Sequence, residues 1–188
     1  MTSENHSVLL VTKDMKISSL VSAMLSPPMF ELSLCNDFNE ARRKCDERSF
    51  NIVISDFSDG EGADFVLDIS DSLSTILLLT PAQLFEQISY KVEPYGVLTL
   101  TYPFDQFYFY NMIKIAIAVQ FKVQVLSSQT TKLKEKMEEI RLVNRAKMLL
   151  MQGKGMSEQE AHRYIEKEAM DTGSKKTLVA GNLIKELG

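Results

Sequence analysis

The chain has 188 residues, 45% apolar and 24% charged, which excludes wholesale disorder and leaves room for one ordinary domain plus a small one. Its two cysteines, Cys35 and Cys45, form neither a disulfide framework nor a C-x-x-C metal pattern, so a reducing, cytoplasmic setting without metal or cofactor is expected. The formal charge of −4 is unevenly spread: residues 1–131 hold 9 Lys and Arg against 16 Asp and Glu, residues 132–188 hold 12 against 9, and only the rear part suits a phosphate backbone.

Ser7–Val11 reads as a short apolar strand, and Lys16–Leu25 follows with helical spacing at Ile17, Leu20, Val21, Met24 and Leu25. Pro27-Pro28 cannot extend that helix and closes it. Glu31–Cys35 is a second strand and Asn39–Arg48 a polar helix. The buried-type strand Asn51–Asp56 ends in a carboxylate and a glycine-bearing loop. Thr75–Leu79 is a fourth strand, ending at Thr80-Pro81, and Gly96–Leu100 a fifth, ending at Thr101-Tyr102-Pro103-Phe104-Asp105. Strands alternating with helices imply a parallel sheet covered on both faces, with functional residues outside the carboxyl ends of the strands. No apolar run approaches the ~20 residues of a membrane span, and no basic-then-apolar leader opens the chain.

Five strand–helix units with these strand-end residues resemble the receiver domain of two-component response regulators, over roughly residues 7–121. The resemblance implies an α/β, flavodoxin-like, doubly wound five-stranded parallel sheet and a phosphorelay ancestry. It places the phosphoacceptor position at Asp56, the hydroxyl that senses the phosphoryl group at Thr80, and the family's T-K-P-F at Thr101-Tyr102-Pro103-Phe104. The acidic pair that holds Mg²⁺ in receivers reads Thr12-Lys13, with Asp14 one residue off, and Tyr102 replaces the lysine. Phosphoryl transfer needs a cation held by carboxylates, so these departures imply a pseudo-receiver in which Lys13 is free to pair with Asp56.

From Gln106 to Gly153 the chain runs without proline or glycine. Steps of four and three select Met112, Ala116, Val119, Val123, Leu126, Thr130, Leu133, Met137, Ile140 and Asn144, a heptad seam that predicts a parallel coiled-coil homodimer. Asn144 on that seam would fix register. Ser127–Thr131 is a poor helix segment and is expected to form a joint or kink, or a linker between two helices.

The rear part repeats the same logic on a smaller scale. Gly153 and Gly155, then Gly173, break it into three helices: the end of the long one, Ser157–Asp171 and Lys175–Leu187. Ser157 with Glu160 reads as a capping box. Core candidates are Val143, Ala146, Leu149, Leu150, Ala161, Tyr164, Ile165, Ala169, Leu178, Val179, Leu183 and Ile184. Arg141, Arg145, Lys147, Lys154, Arg163, Lys167, Lys175 and Lys176 lie off these positions and are suited to RNA phosphates and unpaired bases.

The pattern A-K-x-x-L-M at Ala146–Met151, S-x-x-E-A at Ser157–Ala161 and Ala169-Met170 resembles the ANTAR family of RNA-binding antiterminator domains; Met148 stands where that family often has glycine. The resemblance implies binding of paired stem-loops in nascent messenger RNA, with a sensor protein acting on the receiver surface. The division expected is a receiver-like domain over 1–121, a coiled-coil linker over 122–135 and an ANTAR domain over 136–188. No nucleophile–base pair, zinc spacing or glycine-rich phosphate loop points to an enzyme. The rivals are a DNA-binding response regulator controlled by phosphorylation at Asp56, and an interaction scaffold. Against the first, the final helix turns largely apolar after Lys175-Lys176-Thr177 and leaves few side chains to read a major groove.

Overall fold

A computed structural model describes residues 5–188. Strands β1 (His6–Val11), β2 (Phe30–Cys35), β3 (Ile52–Asp56), β4 (Thr75–Pro81) and β5 (Leu98–Tyr102) form one sheet in the order β2-β1-β3-β4-β5. Every pairing is parallel, with Val8 opposite Ile52, Ile54 opposite Leu77 and Leu79 opposite Leu100. Both faces are covered, which is why β1, β3 and β4 are apolar almost without interruption.

Alternate residues of the sheet enter two cores. Leu9, Val11, Val53, Ile76 and Leu78 pack against Phe38 and Ala41 of α2 (Phe38–Glu47), Phe65 and Val66 of α3 (Glu61–Asp68), and Ile88 and Val92 of α4 (Phe85–Val92). Val8, Leu10, Ile52, Ile54, Leu77 and Leu79 meet Ile17 and Val21 of α1 (Met15–Met24) and Phe109, Ile113 and Ala116 of α5 (Gln106–Lys154). Gln120 of α5 is buried and its side-chain oxygen accepts from the Thr75 hydroxyl at 3.1 Å, tying α5 to the start of β4. The fifth strand begins two residues later than expected because Gly96 takes φ 75° and serves as a turn.

The chain divides into two compact units between Val125 and Leu126. α5 supplies residues to both. The expected joint at Ser127–Thr131 is not formed, since α5 is a single helix through that stretch. The hydroxyls of Thr130 and Thr131 donate to the carbonyls of Leu126 and Ser127 at 2.9 and 3.1 Å, so these poor helix formers satisfy their polar groups on the helix itself. Ala116, expected on the dimer seam, is instead fully buried in the receiver core, and Met112 is half-buried beside it. From Ser128 to Arg141 every residue of α5 is exposed.

In the rear unit the last turns of α5 pack with α6 (Glu158–Asp171) and α7 (Lys176–Leu187) around Ala146, Leu150, Ala161, Ile165, Ala169, Val179, Ala180 and Leu183. Ala146, Ala161 and Ala180 are fully buried and Ala169 nearly so. The capping box is formed: the Ser157 hydroxyl accepts from the Glu160 amide while the Glu160 carboxylate accepts from the Ser157 amide at 2.8 Å. Leu178 is a correction. Val179, Ala180 and Leu183 set the inward face of α7, and at 100° per residue Leu178 falls on the opposite side, 57% exposed.

Candidate phosphoacceptor cleft and nucleic-acid interface

The carboxyl ends of β1, β3, β4 and β5 surround a cleft of about 630 Å³ lined by Lys13, Asp14, Asp56, Ser58, Asp59, Glu61, Thr80 and Tyr102, among others. Asp56, the last residue of β3, is buried at its floor. One of its carboxylate oxygens accepts from the Thr12 hydroxyl and the other from the Ser58 hydroxyl. Thr80 is fully buried on the same wall, where its hydroxyl reaches the Leu100 carbonyl at 3.4 Å.

Lys13 does not pair with Asp56. Its ammonium is bound by Glu61, whose hydrogen bond holds it above the ordinary lysine range. The reason lies in α3: Gly62 brings the helix so near β3 that an added Cβ would stand 1.7 Å from the Asp56 carbonyl oxygen, which sets Glu61 at the cleft mouth. Asp14 is engaged as well, as the N-cap of α1 accepting from the Lys16 amide at 2.7 Å. Ser58, Asp59 and Gly60 turn the chain with φ of 39°, 54° and 106°, a left-handed run in which two residues carry side chains.

The receiver fold implies Mg²⁺, and these residues do not fit it. Mg²⁺ takes hard oxygen ligands, commonly one or two carboxylates. Of the four carboxylates lining the cleft, Asp56 is engaged by two hydroxyls, Asp14 caps a helix and Glu61 binds the Lys13 ammonium, which leaves Asp59 alone.

In the rear unit the cations singled out for RNA fall into separate groups. Lys154 and Arg163 line a groove of about 450 Å³ together with Lys167, Tyr164, Met156 and Glu160. The Lys154 ammonium sits 5.2 Å from the centre of the Tyr164 ring, an arrangement of cation and aromatic face that base stacking also uses. Glu160, the acid in this groove, is committed to the capping box, which keeps its carboxyl below the usual range. Lys175 and Lys176 line a second groove, of about 1270 Å³, with Lys132, Lys134 and Lys136 of α5 and the carboxylates Glu135, Glu138, Glu139 and Glu166. These three lysines, in the run Lys132-Leu133-Lys134-Glu135-Lys136, were not among the cations the sequence singled out.

Arg141 and Arg145 are exposed, and Arg141 is held by Glu138 at 2.8 Å. Lys147 is set apart: its side chain is 14% exposed and bonds Glu158 at 2.8 Å, joining α5 to α6. Lys176 is paired with Glu166 at 2.6 Å, and His162 lies 3.3 Å from the same carboxylate. Met148, at the family's glycine position, is 59% exposed, so no close helix approach occurs there. Val123 is half-buried, while Leu126, Leu133, Met137, Ile140 and Asn144 of the seam are exposed. No helix among the described residues is long and apolar enough to cross a membrane.

Residues 131–184 match the family model of the ANTAR domain. The chain is 27% identical over 129 residues to the transcriptional regulatory protein PdtaR of Mycobacterium tuberculosis, covering 68% of this chain and 63% of that protein. It is 34% identical over 91 residues to the aliphatic amidase regulator of Pseudomonas aeruginosa, covering 48% of this chain and 44% of that one. It therefore spans less than two thirds of the length of either relative. The front unit shares its fold with the signal receiver domain of an HD domain-containing protein from Pseudomonas fluorescens, at a TM-score of 0.57 and 22% identity over 63% of this chain and 91% of that one. The chain thus carries a receiver fold followed by an ANTAR domain, and it is related in sequence to a transcriptional regulatory protein and to an aliphatic amidase regulator.

Proposed function

We propose that the protein is a transcription antitermination regulator that binds stem-loops in nascent messenger RNA through its ANTAR domain. It acts as a homodimer joined along α5. In this reading the receiver no longer takes up phosphate and is governed by a protein partner that covers it. The observation that carries the proposal is the ANTAR match over residues 131–184, laid on a three-helix unit in which Lys154, Arg163 and Lys167 gather around Tyr164. Loops expose base faces and edges to such a surface, whereas an A-form stem hides them. Arg145, Lys175 and Lys176 extend the cationic surface, and Arg141 and Lys147 contribute less because Glu138 and Glu158 engage them. Two ANTAR domains joined in a dimer would engage two stem-loops with a raised effective concentration.

Filter binding tests this with a tandem stem-loop RNA, a single stem-loop and a duplex DNA of equal charge. The tandem RNA should bind tightest, with affinity falling steeply as salt rises. Lys154→Ala with Arg163→Ala should lower RNA affinity by about tenfold or more, each lost phosphate or stacking contact contributing on the order of 1 kcal/mol. Equal affinity for all three probes would reduce the unit to a nonspecific basic surface. Tighter DNA binding would favour a DNA-binding response regulator.

A further inference from the structure

The front unit has another pocket, at the end of the sheet opposite the Asp56 cleft. It holds about 530 Å³ between the amino ends of β1 and β3, at His6 and Asn51, and one side of α5. Lys114, Ile117 and Phe121 supply that side, since steps of three and four keep residues on one face of a helix. The volume falls within the roughly 300–1,000 Å³ of small-molecule sites.

The polar groups of its wall are donors, because their acceptor atoms are already used. Gln120 is 5% exposed, and its side-chain oxygen accepts from the Thr75 hydroxyl. Its amide nitrogen has no partner among the described residues. That nitrogen is not sealed off, since the Ser22 hydroxyl is the one sealed and unpartnered side-chain group among the described residues. The pocket that Gln120 lines is the opening the nitrogen reaches. Asn51 repeats the arrangement: its oxygen accepts from the amide and the hydroxyl of Ser7 at 2.9 and 3.0 Å, leaving its NH₂ to donate. An unmet donor on so buried a side chain is unfavourable, and a bound acceptor relieves it.

The formal charge at the rim has one sign. Lys114 is in no ion pair among the described residues, and its ammonium lies 5.9 Å from the centre of the Tyr110 ring. No carboxylate among the described residues lines the pocket. Ile117 and the 62% exposed ring of Phe121 add an apolar wall. Two amide donors, one cation and an aromatic ring suit a monoanion with a flat apolar body. A phosphate dianion would bring more charge than Lys114 alone offsets.

We propose that this pocket binds a small organic carboxylate bearing a flat ring, its oxygens accepting from Gln120 and Asn51 and its charge facing Lys114. The inference stands apart from the RNA-binding reading and adds a direct chemical input to the front unit. Bound there, the carboxylate joins the start of β3 to α5 just ahead of Val125, where the front unit ends.

Naphthoate is a suitable probe, because the chain has no tryptophan to mask its fluorescence. Its fluorescence polarisation is followed as the full chain is added, with neutral naphthamide and ringless acetate as competitors. Naphthoate should bind saturably, raise the midpoint of thermal unfolding, and bind about tenfold more tightly than naphthamide. Acetate should displace little of it. Gln120→Glu keeps the oxygen that faces Thr75 but turns an acceptor to the ligand, and should weaken binding by about tenfold or more. Lys114→Gln, a change at an exposed position, should weaken it severalfold with the circular dichroism unchanged. Failure to saturate below about 5 mM overturns the inference, as does equal binding of naphthamide or wild-type affinity in either variant. None of these outcomes touches the RNA-binding reading.

Discussion

Thr12 and Ser58 flank the carboxylate of Asp56. A receiver carboxylate serves phosphoryl transfer by sharing a metal with neighbouring acids, whereas here both of its oxygens accept from hydroxyls and the nearest ammonium belongs to Glu61. Incubation with acetyl phosphate and Mg²⁺ should therefore leave the intact mass unchanged; an Asp56-dependent gain of one phosphoryl group would restore phosphorylation as the switch. Gly62 is the second residue on which the cleft depends. Its added Cβ would strike the backbone of Asp56 rather than the end of a flexible side chain, so the strand or the helix must move. Gly62→Ala should cost about 3 kcal/mol, the upper range for overpacking, read as a lowered denaturant midpoint at unchanged slope. Asp56 and Thr80 could be picked out from sequence because strand ends are marked by the change from apolar to polar residues. The Lys13–Glu61 pair could not, because its partners lie 48 positions apart and meet only when α3 closes on β3.

Among the elements, α5 shows where pattern reading succeeds and where it stops. Its length was legible from the absence of proline and glycine, whereas the heptad spacing set only an expectation of pairing. The same spacing ran on into Ala116, because one apolar period serves a coiled coil and a helix lying on a sheet equally well. The three rear helices were legible for a different reason: Ser157, Gly155 and Gly173 are conformational signals that act locally, and both glycines do adopt positive φ. Leu178 was misplaced since a run of Leu178-Val179-Ala180 offers two possible inward faces, and only packing against α5 and α6 selects one. Replacing Leu133 and Ile140 together by lysine should yield monomers in light scattering, since burying each apolar side chain contributes on the order of 1–3 kcal/mol. Persistence of the dimer would move the interface off this seam, to the receiver unit.

At the scale of the whole molecule, two units with separate cores share one continuous helix, and the net charge of the sequence changes from acidic to basic within it. The fourteen residues Ser128–Arg141 belong to neither core and are exposed around their full circumference. A helix that buries none of its side chains is marginal in water, because its backbone hydrogen bonds alone barely offset the entropy of ordering it. The stretch carries Lys132, Lys134, Lys136 and Arg141, four sites for trypsin. In a lone chain the middle of α5 should open locally and be the first place cut, leaving a front fragment and a rear fragment while each core stays whole. In the assembled dimer the same peptide bonds should survive far longer. If α5 pairs as proposed, the time course of a single tryptic cleavage would report how much of the protein is paired, and degradation in the cell would fall selectively on the unpaired copies.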